Sequence, residues 1–411
     1  MRSTPWAFPV LLLTAAPLAL AGFAAESSRP QGELQRRIDA AAEGGVVEIG
    51  PGDFEAGVLI EKPITLRGAG LDKTVVKYHG NGPAILIRGA RDVRIENLTV
   101  VWGPASTEER IEYPAAVAVR DGNAVLDSVA LAPIDRPAQT PYGLFAVGRS
   151  DVQFVNGRSR GFAYALMWQD GAGGKVLDSD LRGAGHSVIT IHPYSEVEVA
   201  RNVLADCGYH ALRVTGGTVD MHDNIIMNCK KAGAYLGNKD AHGRIYNNLF
   251  TGNLGEIWGY YGSDVVLEHN LFYESKDPAI IFWNTCALVA RANSFVRNPA
   301  ALRQYLREKD PSRAGIRLEG NHYWENKEDI QPRHAIGAGP VEDEGFDIAK
   351  SPSTLNGDPK FRDPAAGDFT LEEGSVLLRE NKILAGPTNP TAIHDLASRH
   401  NLRFAGAAAG K

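Results

Sequence analysis

The chain has 411 residues, with 43 Lys and Arg against 49 Asp and Glu, which gives a formal net charge of −6 and a pI near 6.0. This balance and the absence of any basic run argue against a nucleic-acid partner. Three cysteines are too few for a fold held together by disulfides. A compact domain of this length usually divides, whereas a solenoid grows by adding coils to one continuous core.

The first 24 residues have the pattern of an export signal. Arg2 precedes an apolar stretch from Trp6 to Ala21, and the small residues Gly22 and Ala24 follow it. We therefore expect a signal peptide over residues 1–24 and a mature protein that is secreted or periplasmic. No later segment is long and apolar enough to predict a membrane span.

A short amphipathic helix is predicted next, over residues 33–45. Leu34, Ile38 and Ala41 share one helical face, and Gly44-Gly45 provides the stop. Because both ends of a solenoid need covering, this helix is expected to cap the first coil.

A polar residue then recurs at nearly constant spacing through the middle of the chain. The recurring residues are Asn97, Ser128, Asn156, Ser179, Asn202, Asn224, Asn248, Asn270, Asn293 and Asn321. The central intervals are 22 to 24 residues, and short alternating phrases such as Val197-Glu198-Val199 lie between them, as half-buried strands require. Leucines at fixed spacing and helical return segments are absent, so a leucine-rich repeat is disfavoured.

These features predict an all-β fold, a single parallel β-helix of about ten coils over residues 46–298. Coils stack at the usual interstrand spacing of about 4.8 Å, so amides at one phase can hydrogen-bond up and down the stack. The recurring asparagines are therefore interpreted as a structural ladder rather than as catalysts.

The repeat is lost after residue 298. Asn298-Pro299 is expected to open a helix with Leu302, Tyr305 and Leu306 on one side. Residues 299–411 are interpreted as the last coil or coils, a helical excursion and an irregular C-terminal cap. The aspartates and prolines of 357–364 are expected to form turns.

The start of the repeat resembles that of the pectin-lyase-like right-handed β-helix proteins. After the predicted helix come strand 46–49, Gly50-Pro51-Gly52, a second strand, and Lys62-Pro63 leading through a strand into Gly68-Ala69-Gly70. The resemblance covers residues 33 to 375 and implies a right-handed β-helix. It also implies a secreted, carbohydrate-active protein, although such motifs specify the fold better than the activity.

The second strand of each coil carries the candidate chemistry. It follows the recurring asparagine by eight to thirteen residues, and alternate apolar positions such as Leu212 are expected to face the core. The positions between them then face outward. This phase puts Arg213 and Tyr235 in one vertical column, beside a column that contains His192 and Tyr261.

His210 admits two interpretations. By phase it faces inward, where a polar ring must find a hydrogen-bond partner. It also lies two residues after Gly208, so it is alternatively displaced into the outer cleft as a catalytic group.

This residue set suits chemistry beside a uronate carboxylate. Elimination or C5-epimerisation needs a cation at the carboxylate, a base at the C5 proton and an acid at the leaving oxygen or the opposite face. The candidate catalytic residues are Arg213, His192, Tyr235, Lys239 and His210, and the candidate substrate-binding residues are Tyr261, Trp283, Tyr209, Lys231 and His186. The lyases and epimerases of the resembled superfamily use similar sets, so the resemblance implies the same reactions.

The expected partner is an acidic, uronate-containing polysaccharide, bound by a monomer without a cofactor or metal. Two insertions, 102–113 and 132–141, account for the longer early intervals and are expected to wall one side of the cleft. A solvated or ion-paired surface is the structural alternative for the same residues.

Two other functions stay open. A glycoside hydrolase needs an acid and a base carboxyl across the bond, but Asp206, Asp240, Glu256 and Asp264 fall in turns or at inward phases. A non-catalytic binding scaffold, such as the periplasmic factors for copper-site maturation, is the second alternative. With 4 Met and 3 Cys, the chain is a weak fit to copper.

The cysteines Cys207 and Cys229 each follow a ladder asparagine by five residues, which places them on adjacent coils. A disulfide and a pair of stacked free thiols are both compatible with that placement. Cys286 has no partner at this phase and is expected to be buried.

Overall fold

The computed structural model describes residues 30–55, 57–105, 112–135, 140–306, 315–331, 334–335, 339–340 and 353–379. The predicted signal peptide, 1–24, lies outside the described residues, as do residues 106–111 and 136–139 of the two early insertions.

The described elements, in chain order, are α1 (Glu33–Ala40), β1 (Gly45–Glu48), β2 (Gly52–Glu55), β3 (Val58–Ile60), β4 (Ile64–Arg67), β5 (Thr74–His79), β6 (Ile85–Arg88), β7 (Val93–Gly103), β8 (Ala115–Arg120), β9 (Asn123–Pro133), β10 (Tyr142–Val147), β11 (Asp151–Val155), β12 (Arg158–Arg160), β13 (Tyr164–Gln169), β14 (Gly173–Leu177), β15 (Asp180–Arg182), β16 (Ser187–Ile191), β17 (Glu196–Ala200), β18 (Val203–Ala205), β19 (Leu212–Val214), β20 (Thr218–His222), β21 (Ile225–Met227), β22 (Ala232–Gly237), β23 (His242–Tyr246), β24 (Leu249–Thr251), β25 (Gly255–Tyr260), β26 (Asp264–Glu268), β27 (Leu271–Tyr273), β28 (Ile280–Trp283), β29 (Ala287–Arg291), β30 (Ser294–Val296), β31 (Ala300–Leu306), β32 (Ile316–Glu319), β33 (His322–Trp324), β34 (Glu328–Ile330), β35 (His334–Ala335), β36 (Gly339–Pro340), β37 (Leu355–Asn356), β38 (Phe361–Asp363), a 3₁₀ turn (Pro364–Ala366), β39 (Asp368–Leu371) and α2 (Val376–Arg379).

These strands form a solenoid of about eleven turns. A typical coil has three strands, as in β17, β18 and β19. Within the described residues, the first two strands of each coil enter a 23-stranded sheet and the third enters a 14-stranded sheet, here called the front sheet. Successive coils pair in parallel. The predicted all-β class and single right-handed parallel β-helix are confirmed.

The first coil is covered by α1, which lies within the predicted span. Leu34 and Ile38 are buried against the solenoid core. Gln35 is also buried, and it satisfies the backbone of Leu59 on both sides, accepting from its N–H at 2.7 Å and donating to its carbonyl at 3.0 Å. The helix thus covers the apolar end of the solenoid and also satisfies the backbone N–H and carbonyl of Leu59 at the edge of β3.

The asparagine ladder runs from Ser179 to Asn321. The backbone N–H of Ser179 donates to Asn202 Oδ1 at 2.9 Å, and the same bond repeats from coil to coil up to Asn321. From Asn202 through Asn293, the side-chain Nδ2 also donates to the next Oδ1. This part of the prediction is confirmed.

The three earliest members of the predicted ladder are wrong by one residue. Asn97, Ser128 and Asn156 have φ values of 57°, 55° and 52°, so they occupy the left-handed turn that immediately precedes the ladder position. Asp178 and Arg201 fill that turn in later coils. Asparagine suits both positions, because its short amide tolerates a left-handed backbone.

Of the two alternatives for Cys207 and Cys229, a disulfide or two free thiols, the structure has the disulfide. Cys207 and Cys229 are bonded across adjacent coils with Cα atoms 4.6 Å apart, and Cys286 is free and buried. A second, shorter ladder lies beside this bond, in which Asn253 Oδ1 accepts from the N–H of Cys229 at 2.8 Å. Sequence reasoning missed this ladder, although Asn253 follows Asn248 by the same five residues as the cysteines follow their asparagines.

The helix predicted from residue 299 is wrong, since residues 300–306 form strand β31. Leu302 and Gln304 are buried, whereas Arg303 and Tyr305 alternate with them and are half-buried. The segment pairs in register with β28, which supplies hydrogen-bond partners for its backbone. This pairing between coils outweighs the spacing of apolar residues that predicts a helix. None of the described helices is long and apolar enough to cross a bilayer.

Candidate functional site

The outward face of the front sheet carries a vertical column of register partners. We call this the central column, and its members in successive coils are Phe145, Met167, Thr190, Arg213, Tyr235, Trp258, Ile281 and Arg303. A second row, here called the flanking column, lies two residues further along each strand and contains Gln169, His192, Thr215, Gly237, Tyr260 and Trp283. Neither column contains a carboxylate.

Arg213 has no hydrogen-bond or ion-pair partner among the described residues, although its side chain is half-buried. Many arginines elsewhere on the solenoid are paired. Arg201, for example, makes a bidentate pair with Asp178 at 3.0 and 2.9 Å. An unpaired, partly desolvated guanidinium is a ready partner for an external carboxylate, because its planar fork matches the two oxygens.

His192 lies beside Arg213 and is neutral at pH 7. Its Nδ1 is 3.2 Å from the hydroxyl of Thr215 in the next coil. Burial, and then the positive charge of Arg213, lower the pKa of the His192 imidazole. The charge of Arg213 acts after burial on His186 and His210 in the same direction, so one cation influences three histidines.

His210 is buried, with 2% of its surface exposed. Its Nδ1 accepts a hydrogen bond from the N–H of Ala232 at 3.1 Å, and burial followed by the charge of Arg213 lowers the pKa of the ring to about 3. A neutral ring whose Nδ1 accepts must carry its proton on Nε2. The observed environment is that of the buried, hydrogen-bonded histidine, and the catalytic interpretation stays a prediction.

Tyr235 contacts His210 in the preceding coil. The two rings stack with centroids 4.8 Å apart. Burial raises the pKa of the Tyr235 phenol to about 12, so the hydroxyl keeps its proton at neutral pH and is able to donate it.

A continuous row of rings crosses eight coils at this face. Its members are Tyr113, Phe145, Tyr142, Tyr164, His186, Tyr209, His210, Tyr235, Tyr260 and Trp283, and the centroids of successive rings lie 4.4 to 6.2 Å apart. Sequence reasoning found five of these residues and missed Tyr113, Phe145, Tyr142, Tyr164 and Tyr260. The rings come from turns, strand starts and strand centres, so no single repeat phase reveals them.

The predicted column position of Tyr261 is wrong. Tyr260 occupies the flanking column, while Tyr261 has φ 58° and lies in the following turn. Gly259, two residues before Tyr261, is a register partner of Phe282, and a Cβ at Gly259 would lie 2.4 Å from that buried ring. In this coil, the residue that enters the flanking column is therefore one position earlier in the sequence than predicted. The ring of Tyr261 still contacts Trp283, with centroids 4.4 Å apart.

Of the remaining predicted residues, His186 and Lys231 lie close to His210, whereas Lys239 does not join the cluster around Arg213. His186 stacks between Tyr164 and Tyr209 at 4.8 and 4.5 Å, and the charge of Lys231 contributes to the low pKa of His210. Lys239 is exposed in the turn after β22. None of the described side-chain contacts joins it to Arg213, so the structure does not bring it into the cluster.

Glu256, which is expected in a turn or at an inward phase, is fully buried in β25. Its Oε2 accepts a hydrogen bond from Asn253 Nδ2, and its Oε1 has no partner among the described residues. Burial raises the pKa of this carboxyl to about 8. No group of three or more His, Cys, Asp or Glu suited to a metal ion occurs in the described part of the chain.

Known proteins resemble this chain in fold. A family profile described as "Right handed beta helix region" matches residues 164–327, whereas no curated protein matches the sequence. The structural resemblance to the pectin-lyase-like β-helix proteins is therefore confirmed at the level of the fold.

Three solved structures illustrate this likeness. The A-module of mannuronan C-5 epimerase AlgE4 from Azotobacter vinelandii is 14% identical, with 74% of this chain and 94% of that chain covered and a TM-score of 0.53. A mutant of the periplasmic alginate epimerase AlgG is 12% identical, with 76% and 84% covered and a TM-score of 0.52. The catalytic unit of a GH87 α-1,3-glucanase from Streptomyces thermodiastaticus is 14% identical, with 80% and 66% covered and a TM-score of 0.50.

Proposed function

We propose that this right-handed parallel β-helix protein binds a uronate-containing polysaccharide on its front sheet and catalyses β-elimination or C5-epimerisation. The observation that carries the proposal is the unpaired guanidinium of Arg213, half-buried in a row of rings and flanked by columns without carboxylates. A bound uronate would supply the missing negative charge. Pairing with Arg213 would then stabilise the charge that develops when the C5 proton leaves.

The neighbouring groups suit the two proton transfers. His192 is neutral because burial and Arg213 lower its pKa, so it is available as the base that removes the proton from C5. Tyr235 keeps its proton because burial raises its pKa to about 12. In elimination, the C4–O bond breaks as the C4–C5 double bond forms, and Tyr235 protonates the leaving oxygen. In epimerisation, the C4–O bond stays intact and the Tyr235 hydroxyl donates its proton to the opposite face of C5.

His210 is assigned a different role from the base. Its Nδ1 lone pair is used by the N–H of Ala232, so the ring has only an Nε2–H to offer and acts as a hydrogen-bond donor to substrate oxygen. Rotating the ring to free Nδ1 would leave a buried backbone N–H unsatisfied, which costs about 1–3 kcal/mol.

The resemblance to solved proteins supports the same class of reaction. Two of the structural neighbours are named as epimerases of mannuronan or alginate, and mannuronan is a polyuronate. An extracytoplasmic location and a monomeric protein belong to the same proposal.

A glycoside hydrolase is the second candidate, because one neighbour is a glucanase. It is less well supported, since the central and flanking columns lack the two carboxyls that such catalysis needs. A binding scaffold without catalysis is the third.

A single experiment in D₂O separates these functions. The protein is incubated with alginate and other polyuronates, and both ultraviolet absorbance from unsaturated ends and deuterium at C5 are measured. Elimination gives absorbance, whereas epimerisation gives deuterium without absorbance. New reducing ends without either signal would replace the proposal with hydrolysis, and binding without any product would leave only a scaffold.

A further inference from the structure

The central column changes character between Thr190 and Arg213. On the N-terminal side, Phe145, Met167 and Thr190 face outward but are only 9%, 3% and 0% exposed. On the C-terminal side, Arg213 and Tyr235 are half-buried and reach the surface. Because outward residues of a solenoid normally meet solvent, something must cover the N-terminal part of the column.

Side chains of the protein itself provide this cover. Tyr142 stacks on Phe145 with centroids 5.1 Å apart, and Tyr113 contacts the same ring at 6.2 Å. Tyr164 continues the cover, 5.5 Å from Tyr142. With Met167 these residues form an apolar cluster on the outer surface, here called the end cluster. These rings form a second layer over this part of the sheet, so a sugar chain that contacts Arg213 directly cannot contact the sheet there.

The C-terminal side of Arg213 is more open over its first two coils, where Tyr235 and Trp258 are half-buried, although Ile281 in the third coil is 3% exposed. Tyr235, Tyr260 and Trp283 present half-buried rings in three successive coils, and Tyr261 beside them is 50% exposed. At the usual interstrand spacing, this open part of the face extends about 14 Å from Arg213. Aromatic rings with a polar edge are suited to contact with sugars.

We propose that the polysaccharide lies along the solenoid axis with one chain end against the end cluster and the rest extending toward Trp283. This inference rests on the proposed function and specifies which part of the substrate is used. Thr190 is one coil step from Arg213 and Met167 is two, or about 5 and 10 Å. The reacting uronate at Arg213 is therefore no further than a disaccharide from the chain end, so the protein acts on chain ends and not on the interior of the polymer.

Product analysis at low conversion tests the proposal. We expect the short product to be a mono- or disaccharide from the first time point, while the viscosity of the polymer falls slowly. For an epimerase, we expect the inverted residues to lie within two sugars of a chain end by NMR. Mixed product lengths with a steep early fall in viscosity, or inverted residues throughout the chain, would overturn it.

Variants of the end cluster test the cause. Tyr142→Ala combined with Tyr164→Ala should open the blocked part of the column, so that longer products appear early. Tyr246→Ala is the matched control. It removes a tyrosine that stacks on His222 at 4.8 Å on the larger sheet, so it loses a similar ring contact away from the site and should leave the product size unchanged. Unchanged products from the folded double variant, compared by circular dichroism, would contradict the role of the end cluster.

Binding measurements separate failure of this inference from failure of the proposed function. Oligouronates with a bulky label at one end or at the other are titrated into the protein by calorimetry. The inference expects one labelled end to reduce affinity at least tenfold and the other to be tolerated. Equal affinity for both labelled forms would remove chain-end binding but leave uronate binding intact. An absence of binding and turnover for all oligouronates would remove both proposals.

Discussion

Arg213 and Tyr235 are register partners on β19 and β22, so a guanidinium without a carboxylate lies one coil from a phenol that keeps its proton. The two residues are far apart in sequence, and only the stacking of coils makes them neighbours. This relationship links the fold to the proposed chemistry, because the cation and the proton donor share one column.

Replacing Arg213 by alanine should remove activity without loss of stability. If the guanidinium stabilises the developing charge, kcat/KM should fall by at least about 100-fold. The free energy of unfolding should change by less than about 0.5 kcal/mol, because no described ion pair is lost. Steady-state kinetics and urea denaturation measure the two quantities.

Arg201→Ala is the matched control for this variant. It breaks a bidentate pair with Asp178 on the opposite side of the solenoid, and it should keep full activity. An Arg213→Ala protein that retained wild-type kcat/KM would exclude the guanidinium from the mechanism.

The positive charge of Arg213 should also be visible in histidine titrations. It lowers the pKa values of His186, His192 and His210, each time as the second cause after burial. Arg213→Gln should therefore raise all three pKa values, and NMR of the imidazole Cε1–H signals would follow each. If His192 is the base, the acid limb of any residual activity should move to higher pH.

Lys231→Gln provides the contrast for these titrations. Among the causes of the three lowered pKa values, Lys231 contributes only for His210, so its loss should raise that pKa and leave His192 unchanged. Identical titration curves in Arg213→Gln and the wild type would show that the charge does not reach the histidines.

The repeat and its inward and outward alternation could be predicted from sequence, because burial of an apolar face in every coil imposes both. The exact residue at each position of a coil could not be predicted to within one residue. A shift of one residue turns a strand side chain to the other face, and this is why Tyr260 rather than Tyr261 entered the flanking column. The same offset placed Asn156 in a turn instead of in the ladder.

The role of His210 depended on contacts that no pattern encodes. Its inward phase and its burial were predictable, but the hydrogen bond from Ala232 and the stacking on Tyr235 depend on the paths of two coils. The end cluster was hidden for a related reason, since Tyr113 ends the first insertion, Tyr142 follows the second, and neither residue repeats with the coils.

The ladder offset can be tested by stability. Asn224 Oδ1 accepts two hydrogen bonds from Asn202, and the two hydrogens of its Nδ2 are shared among the oxygens of Val199, His222 and Asn248, which lie 2.7 to 2.9 Å away. Asn224→Ala leaves several buried groups unpaired and should lower the free energy of unfolding by about 2–4 kcal/mol. Thermal and urea denaturation provide the measurement.

Asn156→Ala is the natural comparison, because it removes an asparagine from the turn that precedes the ladder. The described side-chain bond that it loses is an exposed one to Asp127 at 3.0 Å. We expect a loss of at most about 2 kcal/mol, mainly from the left-handed backbone. Equal losses in the two variants would mean that Asn156 belongs to the ladder after all.

Glu256 should make the stability of the protein depend on pH above neutrality. Burial raises its pKa from 4.5 to about 8 in the folded chain, so between these values the native state holds a proton that the unfolded state has released. Unfolding then releases a proton, and stability falls as pH rises, by at most about 1.4 kcal/mol for each pH unit. The penalty is absent below pH 4.5 and complete once the pH exceeds 8.

Glu256→Gln isolates this effect, because an amide has the shape of the protonated acid and its oxygen can still accept from Asn253. The variant should match the wild type near pH 4.5 and become more stable than it between pH 6 and 8. Denaturant unfolding at several pH values measures the difference in free energy of unfolding between the variant and the wild type. Because both proteins contain His210, its own pH-dependent contribution cancels in this difference. A constant difference across this range would show that Glu256 is ionised in the native protein, and its unpartnered Oε1 would then need a cation or water that stabilises the charge.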